Sequence, residues 1–269
     1  MTLDRTPMPD RRDDADHAKP FICETLTSKA LYFSFSDTQS RMQLLQPDAL
    51  DLEYTRTMMG FLLFEPRPAR LAMIGLGGGS LAKFCFRQLP AATIDVVEIN
   101  PHVIALRDEF QVPPDGPRFQ VIEGDGAHFV RYSPKRFEVL LVDGFDIHGQ
   151  PAALGSQHFY DDCLDVLQPG GILVVNLHSG HLQCASQMER IRRSFGGSML
   201  VVDDGEHSNS VVFACKGDTL ERRAARASRP PRGMEKRAWT ELMPALSRVA
   251  AALRELGGAE RERGRESGI

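Results

Sequence analysis

The stretch "LAMIGLGGGSLAKF", residues 71–84, decides the fold of this chain. An apolar run enters a glycine cluster and leaves as a segment with helical spacing. Glycines let the backbone approach a ligand at the N-terminus of the following helix. The order strand, glycine loop, helix predicts a site for a nucleotide-like ligand, although a purely structural turn is the alternative for the loop alone. The loop glycines are Gly75, Gly77, Gly78 and Gly79.

Apolar strand patterns alternate with helical patterns from residue 70 onward. The strands "RLAMIGL", "TIDVVEI", "RFQVIEGD", "FEVLLVDG" and "QPGGILVVNL" are apolar almost throughout, which is typical of a parallel sheet covered on both faces. Two later segments, "SMLVVDDG" and "SVVFACKG", predict an antiparallel hairpin at one edge. By fold analogy, this doubly wound, mostly parallel α/β sheet resembles the Rossmann-like class I S-adenosylmethionine-dependent transferase fold.

Composition divides the chain into four regions. Residues 1–18 are polar and charged and predict a disordered leader, and residues 19–48 predict a small N-terminal β-hairpin region. Residues 49–216 form the expected Rossmann-like catalytic domain. Residues 217–269 are rich in arginine and alanine and predict one amphipathic helix, which packs on the domain or on a dimer mate. Its apolar positions are Trp239, Leu242, Leu246, Val249, Leu253 and Leu256.

Charge and cysteine usage exclude several classes of function. The 269-residue chain has a formal net charge of -4, which gives no reason to expect a nucleic-acid partner. No apolar run approaches the roughly 18 residues of a membrane span. The five cysteines include no C-x-x-C pair, which favours reduced thiols and a cytoplasmic location. His178 and His181 form H-x-x-H without a third ligand at metal spacing, so no metal is expected.

Polar side chains follow three further strands of the predicted sheet, where ligands of open parallel sheets bind. Glu98 lies 23 residues after Gly75, a spacing at which a carboxylate accepts hydrogen bonds from both ribose hydroxyls. Asp125 is placed either to accept from an adenine amino group or to cap the next helix. Asp143 and Asp146 follow the fourth strand with no lysine or arginine in their loop, which favours a site for a cationic substrate over a structural pair.

The run from Gln39 to Leu177 resembles the spermidine synthase, or polyamine aminopropyltransferase, family, in its divergent bacterial spermidine synthase-like branch. The matching pieces, in order, are "TQSRM", "DLEYTRTMM", "GLGGGS", "VVEIN", "GDGAHF", "VDGFDIHGQPAAL", "FYDDCLDVLQPGG" and "VVNL". The resemblance implies an enzyme that transfers an aminopropyl group from decarboxylated S-adenosylmethionine to an amine acceptor such as putrescine.

The resemblance also implies roles for residues on the donor side. Gln39 would contact the aminopropyl or methylthio end of the donor, and Glu98 would bind the ribose. Asp125 with Gly126 would contact the adenine. Pro151 would lie against the adenine ring, unless Gln150 occupies that position because the loop is one residue longer than in the family.

On the acceptor side, the resemblance implies that Tyr54 lines the amine channel. Asp143 would hold the attacking nitrogen and accept its proton. Asp146, together with Asp51, would attract the cationic amine. The expected partners are a small-molecule amine and a second copy of the chain in a homodimer, without nucleic acid or membrane.

Three departures from the family pattern leave the donor open. Ser80 stands where the family loop has an aspartate that binds the donor's free amine, and a hydroxyl cannot supply that charge-assisted hydrogen bond. Thr55 replaces a histidine, and "DGFDI" lacks the usual proline. The donor is therefore decarboxylated S-adenosylmethionine or S-adenosylmethionine itself. An S-adenosylmethionine-dependent methyltransferase and a non-catalytic nucleoside-binding homologue are the alternatives. NAD binding would leave "GDG" and "DGFD" without a role.

Overall fold

A computed structural model describes residues 17–34, 38–146, 149–206, 208–217, 220, 222 and 230–266. Residues 1–16 of the expected leader and residues 218, 219, 221, 223–229 and 267–269 of the expected tail lie outside this description.

The N-terminal region is a three-stranded antiparallel sheet with the strand order β1-β2-β3. It has one strand more than a single hairpin. In the pairing of the second and third strands, Leu31 lies opposite Ser40, and the register shifts between Leu31 and Tyr32. The strands are β1 (Phe21–Glu24), β2 (Ser28–Tyr32) and β3 (Thr38–Gln43).

The main sheet has seven strands, β4 (Arg70–Ile74), β5 (Thr93–Glu98), β6 (Phe119–Glu123), β7 (Phe137–Val142), β8 (Leu167–His178), β9 (Met199–Asp203) and β10 (Asn209–Cys215). Their order is β6-β5-β4-β7-β8-β10-β9. The first five of these pair in parallel, whereas β10 is antiparallel to both β8 and β9. The predicted doubly wound sheet with an antiparallel edge hairpin is confirmed, and its reversal between β4 and β7 creates a cleft beyond the strand ends.

The helices are α1 (Glu53–Met58), α2 (Ser80–Gln88), α3 (Pro101–Ala105), α4 (Gly126–Tyr132), α5 (Gln157–Val166), α6 (Cys184–Ser194) and α7 (Lys236–Glu266). Two 3₁₀ turns cover Met59–Leu63 and Ala152–Gly155. Helix α6 has no counterpart among the sequence predictions. Its buried stripe consists of Cys184, Gln187 and Ile191, and the polar glutamine interrupts the apolar periodicity that identifies a helix.

Helix α7 packs on the domain of its own chain. Leu242, Leu246 and Val249 are buried in the same core cluster as Phe213 of β10. A Cβ atom at Gly60 would lie 2.8 Å from both Val249 Cγ2 and Phe213 Cζ, so the glycine permits this close contact. The sequence left open whether this helix packs on the domain or on a dimer mate, and in the structure it packs on the domain.

A buried lysine on α2 predicts how stability depends on pH. Lys83 is 1% exposed and its Nζ donates to the Phe110 carbonyl at 2.8 Å. Burial lowers its pKa from 10.5 to about 8, and Asp48 offsets this only in part. The unfolded chain then binds more protons than the folded chain between these two values, so the free energy of unfolding rises with pH across that window.

We predict that Lys83→Met removes this rise. Urea unfolding of both proteins between pH 7 and pH 10.5 should show the wild type gaining stability relative to the variant as the pH increases. The control is Lys236→Met, which removes a lysine at the start of α7. If the wild-type and Lys83→Met stabilities run parallel over the whole window, Lys83 titrates normally and this prediction is wrong.

Candidate active site

A cavity of about 400 Å³ lies beyond the carboxyl ends of β4, β5 and β7, under the N-terminal sheet. Its volume is in the range of small-molecule binding sites. The structure places nearly all of the site residues expected from the sequence in its wall. These are Gln39, Tyr54, Gly75, Gly77, Ser80, Glu98, Asp125, Gly126, Asp143, Asp146 and Pro151.

Two glycines of the loop serve different contacts. Gly75 has a φ of +99°, and a Cβ atom there would lie 2.2 Å from the Asp143 carbonyl oxygen. No other residue fits between the glycine loop and the end of β7. Gly78 is not part of the cavity wall. A Cβ atom at Gly78 would lie 2.7 Å from Ser40 Oγ and 2.9 Å from Phe110 Cδ1, so this glycine is required for packing.

Backbone amides hold the Glu98 carboxylate at the end of β5. Oε2 accepts from the Leu76 N–H at 2.9 Å, and Oε1 accepts from the Asn100 N–H at 2.8 Å. Burial raises the pKa of Glu98, and these N–H groups counteract part of that shift. A carboxylate oxygen accepts more than one hydrogen bond, so both oxygens can also accept from adjacent hydroxyls of a ligand.

The chain N-terminal to β1 contributes to the same wall. Ala18 offers its carbonyl to Asn100 Nδ2 at 2.8 Å, and His17 lies beside it in the cavity wall. Asn100 also caps α3 by accepting from the His102 N–H at 3.0 Å. His17 and Ala18 both fall within the expected leader, residues 1–18. Sequence reasoning missed them because a polar, charged segment carries no periodic pattern.

Asp125 caps a helix and lies in the cavity wall. Its Oδ1 accepts from the His128 N–H at 3.0 Å and caps α4, while the residue also lines the cavity. At Gly126 a Cβ atom would lie 2.3 Å from Ile74 Cγ2, so the glycine brings α4 close to β4. The capped helix thereby presents Asp125 to the cavity.

Asp143 carries a half-buried carboxylate held by two neutral donors. Asn176 Nδ2 donates to its Oδ1 at 2.9 Å, and Tyr54 Oη donates to its Oδ2 at 3.2 Å. Burial raises the pKa of Asp143, and the two hydrogen bonds counteract it. Among the residues described, no lysine or arginine pairs with this carboxylate. Such a group attracts a cation and can accept a proton.

Asn176 had no role in the sequence prediction. It lies near the carboxyl end of β8, next to β7, and its side chain is buried. The available signal was a polar residue at the end of an otherwise apolar strand, in the quoted piece "VVNL".

In the loop after β7, Asp146 lines the cavity. The Asp146 N–H donates to the Gly149 carbonyl at 2.8 Å, and the Gly149 N–H donates to the Asp146 carbonyl at 3.2 Å. Pro151 lies in the wall. The Gln150 side chain is not in the wall and, within the described part of the chain, its buried amide has no partner. The sequence left open whether Pro151 or Gln150 occupies this position, and in the structure Pro151 lines the cavity.

Asp51 does not take the position expected of it. Its carboxylate pairs with Arg41 and accepts from Gln43 Nε2 at 2.6 Å, and the residue lies outside the cavity wall. Because a cation already neutralises Asp51, it is not available to attract an amine.

Ser80 is the first residue of α2 and faces a second hydroxyl. Its Oγ lies 3.2 Å from Ser40 Oγ, and both serines are buried in the cavity wall. Gln39 and Thr55 line the same cavity. The hydroxyl pair provides neutral hydrogen-bonding groups at the position where a carboxylate was expected in the family.

The described parts of the chain contain neither a metal-binding cluster nor a membrane-spanning helix. No group of three or more histidine, cysteine, aspartate or glutamate side chains there could hold a metal ion. None of the helices described is long and apolar enough to cross a membrane.

The sheet order and the cavity define an α/β enzyme with the S-adenosylmethionine-dependent methyltransferase fold. A family model described as "Spermine/spermidine synthase domain" matches residues 51–198. A polyamine aminopropyltransferase of Chromobacterium violaceum is 39% identical over 194 residues, which cover 72% of this chain and 74% of the relative. The chain therefore belongs to the spermine/spermidine synthase family, as the sequence resemblance predicted.

Solved structures agree with this fold. A probable spermidine synthase from Corynebacterium glutamicum has a TM-score of 0.62 at 21% identity, over 82% of this chain and 87% of that one. Human methyltransferase-like protein 13, in complex with SAH, has a TM-score of 0.56 at 22% identity, over 74% of this chain and 92% of that one. The predicted fold class is confirmed.

We predict that Gly75→Ala abolishes binding of methylthioadenosine measured by calorimetry. The added Cβ atom meets the Asp143 carbonyl, and the positive φ disfavours alanine, so the loop must move away from β7. The matched control is Gly116→Ala, where a Cβ atom meets nothing within 4 Å and should leave binding unchanged. Retention of wild-type affinity by Gly75→Ala would show that the ligand does not depend on this loop position.

Proposed function

We propose that this chain transfers an aminopropyl group from decarboxylated S-adenosylmethionine to a polyamine acceptor and releases methylthioadenosine. The observation that carries the proposal is the half-buried Asp143 carboxylate, which has no cationic partner in the described structure and lies in the wall of a nucleoside-sized cavity. The named activity of the 39% identical relative supports the same assignment.

The donor fits the cavity from its nucleoside end. Glu98, held by two backbone amides, is positioned to accept from the ribose hydroxyls. Asp125 and Gly126 border the adenine region, and Pro151 provides an apolar surface for the ring. Gln39, on β3, then faces the tail that carries the transferred group.

The sulfonium of the donor makes its neighbouring carbon electrophilic. Asp143 orients an uncharged amine of the acceptor toward that carbon and accepts a proton from it, directly or through water. A nitrogen–carbon bond forms as the carbon–sulfur bond breaks, and the electron pair of that bond remains on the sulfur of methylthioadenosine. Tyr54 holds the second oxygen of Asp143, and Asp146 attracts a protonated amine of the acceptor.

Product analysis by mass spectrometry tests this reaction. Incubation with decarboxylated S-adenosylmethionine and putrescine should give methylthioadenosine and an amine lengthened by one aminopropyl group. Formation of S-adenosylhomocysteine from S-adenosylmethionine would instead assign the chain to the methyltransferases.

Methyl transfer is the second candidate because of the neutral Ser40–Ser80 pair. These hydroxyls do not select a donor with a free amine at its tail in the way that a carboxylate does. A non-catalytic nucleoside-binding role would give binding of methylthioadenosine without turnover of either donor. The homodimer and the cytoplasmic location remain predictions.

Asp143→Asn should keep nucleoside binding and lose turnover. The amide preserves the size of the side chain but cannot accept the proton, so kcat should fall by roughly 10²–10⁴-fold. Methylthioadenosine affinity, measured by calorimetry, is the control for an intact site. An effect confined to KM would make Asp143 a binding group rather than the proton acceptor.

Ser80→Asp should shift the preference between donors. A carboxylate at this position faces the Ser40 hydroxyl and the donor's amine, and a charge-assisted hydrogen bond of about 1.5–3 kcal/mol corresponds to a roughly ten- to hundredfold gain in kcat/KM for decarboxylated S-adenosylmethionine. Ser80→Asn, of the same size without the charge, is the control. Equal effects of both variants on both donors would show that Ser80 does not face the donor's tail.

A further inference from the structure

The hydrogen bonds behind Asp143 continue away from the cavity into the antiparallel hairpin. Asn176 donates to Asp143, and Asn209 Nδ2 in turn donates to Asn176 Oδ1 at 3.0 Å. Neither asparagine lines the cavity. Strand β10 is therefore linked to the Asp143 carboxylate by a chain of two amide side chains, and neither of these side chains is placed to contact a ligand in the cavity. Asn209 also lies outside residues 51–198, which the family model matches.

Strand register explains why the two asparagines meet. Val211 of β10 pairs with Asn176 of the antiparallel β8. Alternate residues of a strand share one face, so Asn209 lies on the same face as Val211 and diagonally opposite Asn176. The amide groups of the two side chains span this diagonal.

The turn before β10 fixes the direction of the Asn209 amide. The Ser208 hydroxyl has two acceptors within reach, Asn209 Oδ1 at 3.0 Å and Asp204 Oδ2 at 3.3 Å. Donation to the nearer Asn209 Oδ1 leaves the NH₂ group of Asn209 directed at Asn176. Asp204, 1% exposed, accepts from the Ser208 N–H at 3.0 Å and from the Asn209 N–H at 3.4 Å. A buried carboxylate thus holds the backbone from which Asn209 extends.

An asparagine side chain can present either its oxygen or its NH₂ group to a neighbour. Because Asn209 donates to Asn176 Oδ1, the NH₂ group of Asn176 faces Asp143. The reverse orientation would bring an amide oxygen against a carboxylate oxygen, which favours the protonated acid. We propose that Asn209 is a positioning residue that keeps Asn176 as a donor to Asp143 and so keeps the carboxylate ready to accept a proton.

This role rests on the proposed function, in which Asp143 accepts the proton of the amine. Asn209→Leu leaves the neighbouring titratable groups unchanged, so a change at Asp143 in this variant reports on the two asparagines. Asn209→Asp adds a carboxylate, whose charge by itself raises the pKa of Asp143. The titratable groups that line the cavity with Asp143, or that flank Asn209, are His17, Tyr54, Glu98, Asp125, Asp146, His178 and Asp204.

The test uses two variants that remove the donor. Asn209→Asp keeps the size of the side chain and the acceptor for Ser208, but it places an oxygen against Asn176 Oδ1. Asn209→Leu removes the donor without adding charge. Both should raise the pKa of Asp143, measured by ¹³C NMR of aspartate carboxyl groups and assigned with Asp143→Asn. For the transfer reaction, kcat should fall about tenfold, with the acid limb of its pH profile moved to higher pH and KM for the donor nearly unchanged.

Ser210→Ala is the matched control in the same strand. Ser210 lies on the opposite face of β10, where its hydroxyl bonds to Asp203 and Ser179 at 2.7 and 3.0 Å. Its loss disturbs the hairpin without touching the asparagines, so the pKa of Asp143 should not move. In an Asn176→Ala background, Asn209→Leu should have no further effect on that pKa.

Three results would overturn the role of Asn209. They are an unchanged pKa of Asp143 in both Asn209 variants, an equal shift in Ser210→Ala, and a full shift from Asn209→Leu in the Asn176→Ala background. The NMR measurement needs no turnover. A wild-type protein that forms no methylthioadenosine would therefore disprove the proposed function alone, and the pKa measurement would still decide the role of Asn209.

Discussion

The close approach of Gly75 to the backbone carbonyl of Asp143 joins the two halves of the site. The Asp143 N–H donates to the Ile74 carbonyl at 2.9 Å, and a side chain at Gly75 would occupy the same space as the Asp143 carbonyl. The glycine loop and the strand end that carries Asp143, the proposed proton acceptor, are thus fixed relative to each other. A displacement reaction needs this, because the attacking nitrogen must lie in line with the carbon–sulfur bond.

Among the described residues, Asp143 is partly buried without a cationic partner, and this partial burial disfavours its charged form. Neutral donors, Asn176 and Tyr54, occupy one position on each oxygen and leave the charge uncompensated. A bound ammonium group provides the missing positive charge, so burial that disfavours the empty site favours a cationic substrate. The same burial raises the pKa of the carboxyl group, and the hydrogen bonds from Asn176 and Tyr54 oppose that rise, so they favour the ionised form that can accept a proton.

Residues at strand ends could be predicted from the sequence, because parallel strands bring their carboxyl ends to one edge. Glu98, Asp125 and Asp143 follow directly from this rule. Asn209 could not be found in the same way, because its contact with Asn176 depends on the register of two strands that run in opposite directions. Ser40 likewise meets Ser80 only through packing of the N-terminal sheet against α2.

A crystal structure of the complex with methylthioadenosine tests most directly whether these residues form one site. The account predicts the ribose hydroxyls on Glu98, the adenine beside Asp125 and Pro151, and the methylthio group between Ser80 and Asp143. A nucleoside bound elsewhere, or one whose sulfur points away from Asp143, would contradict the account.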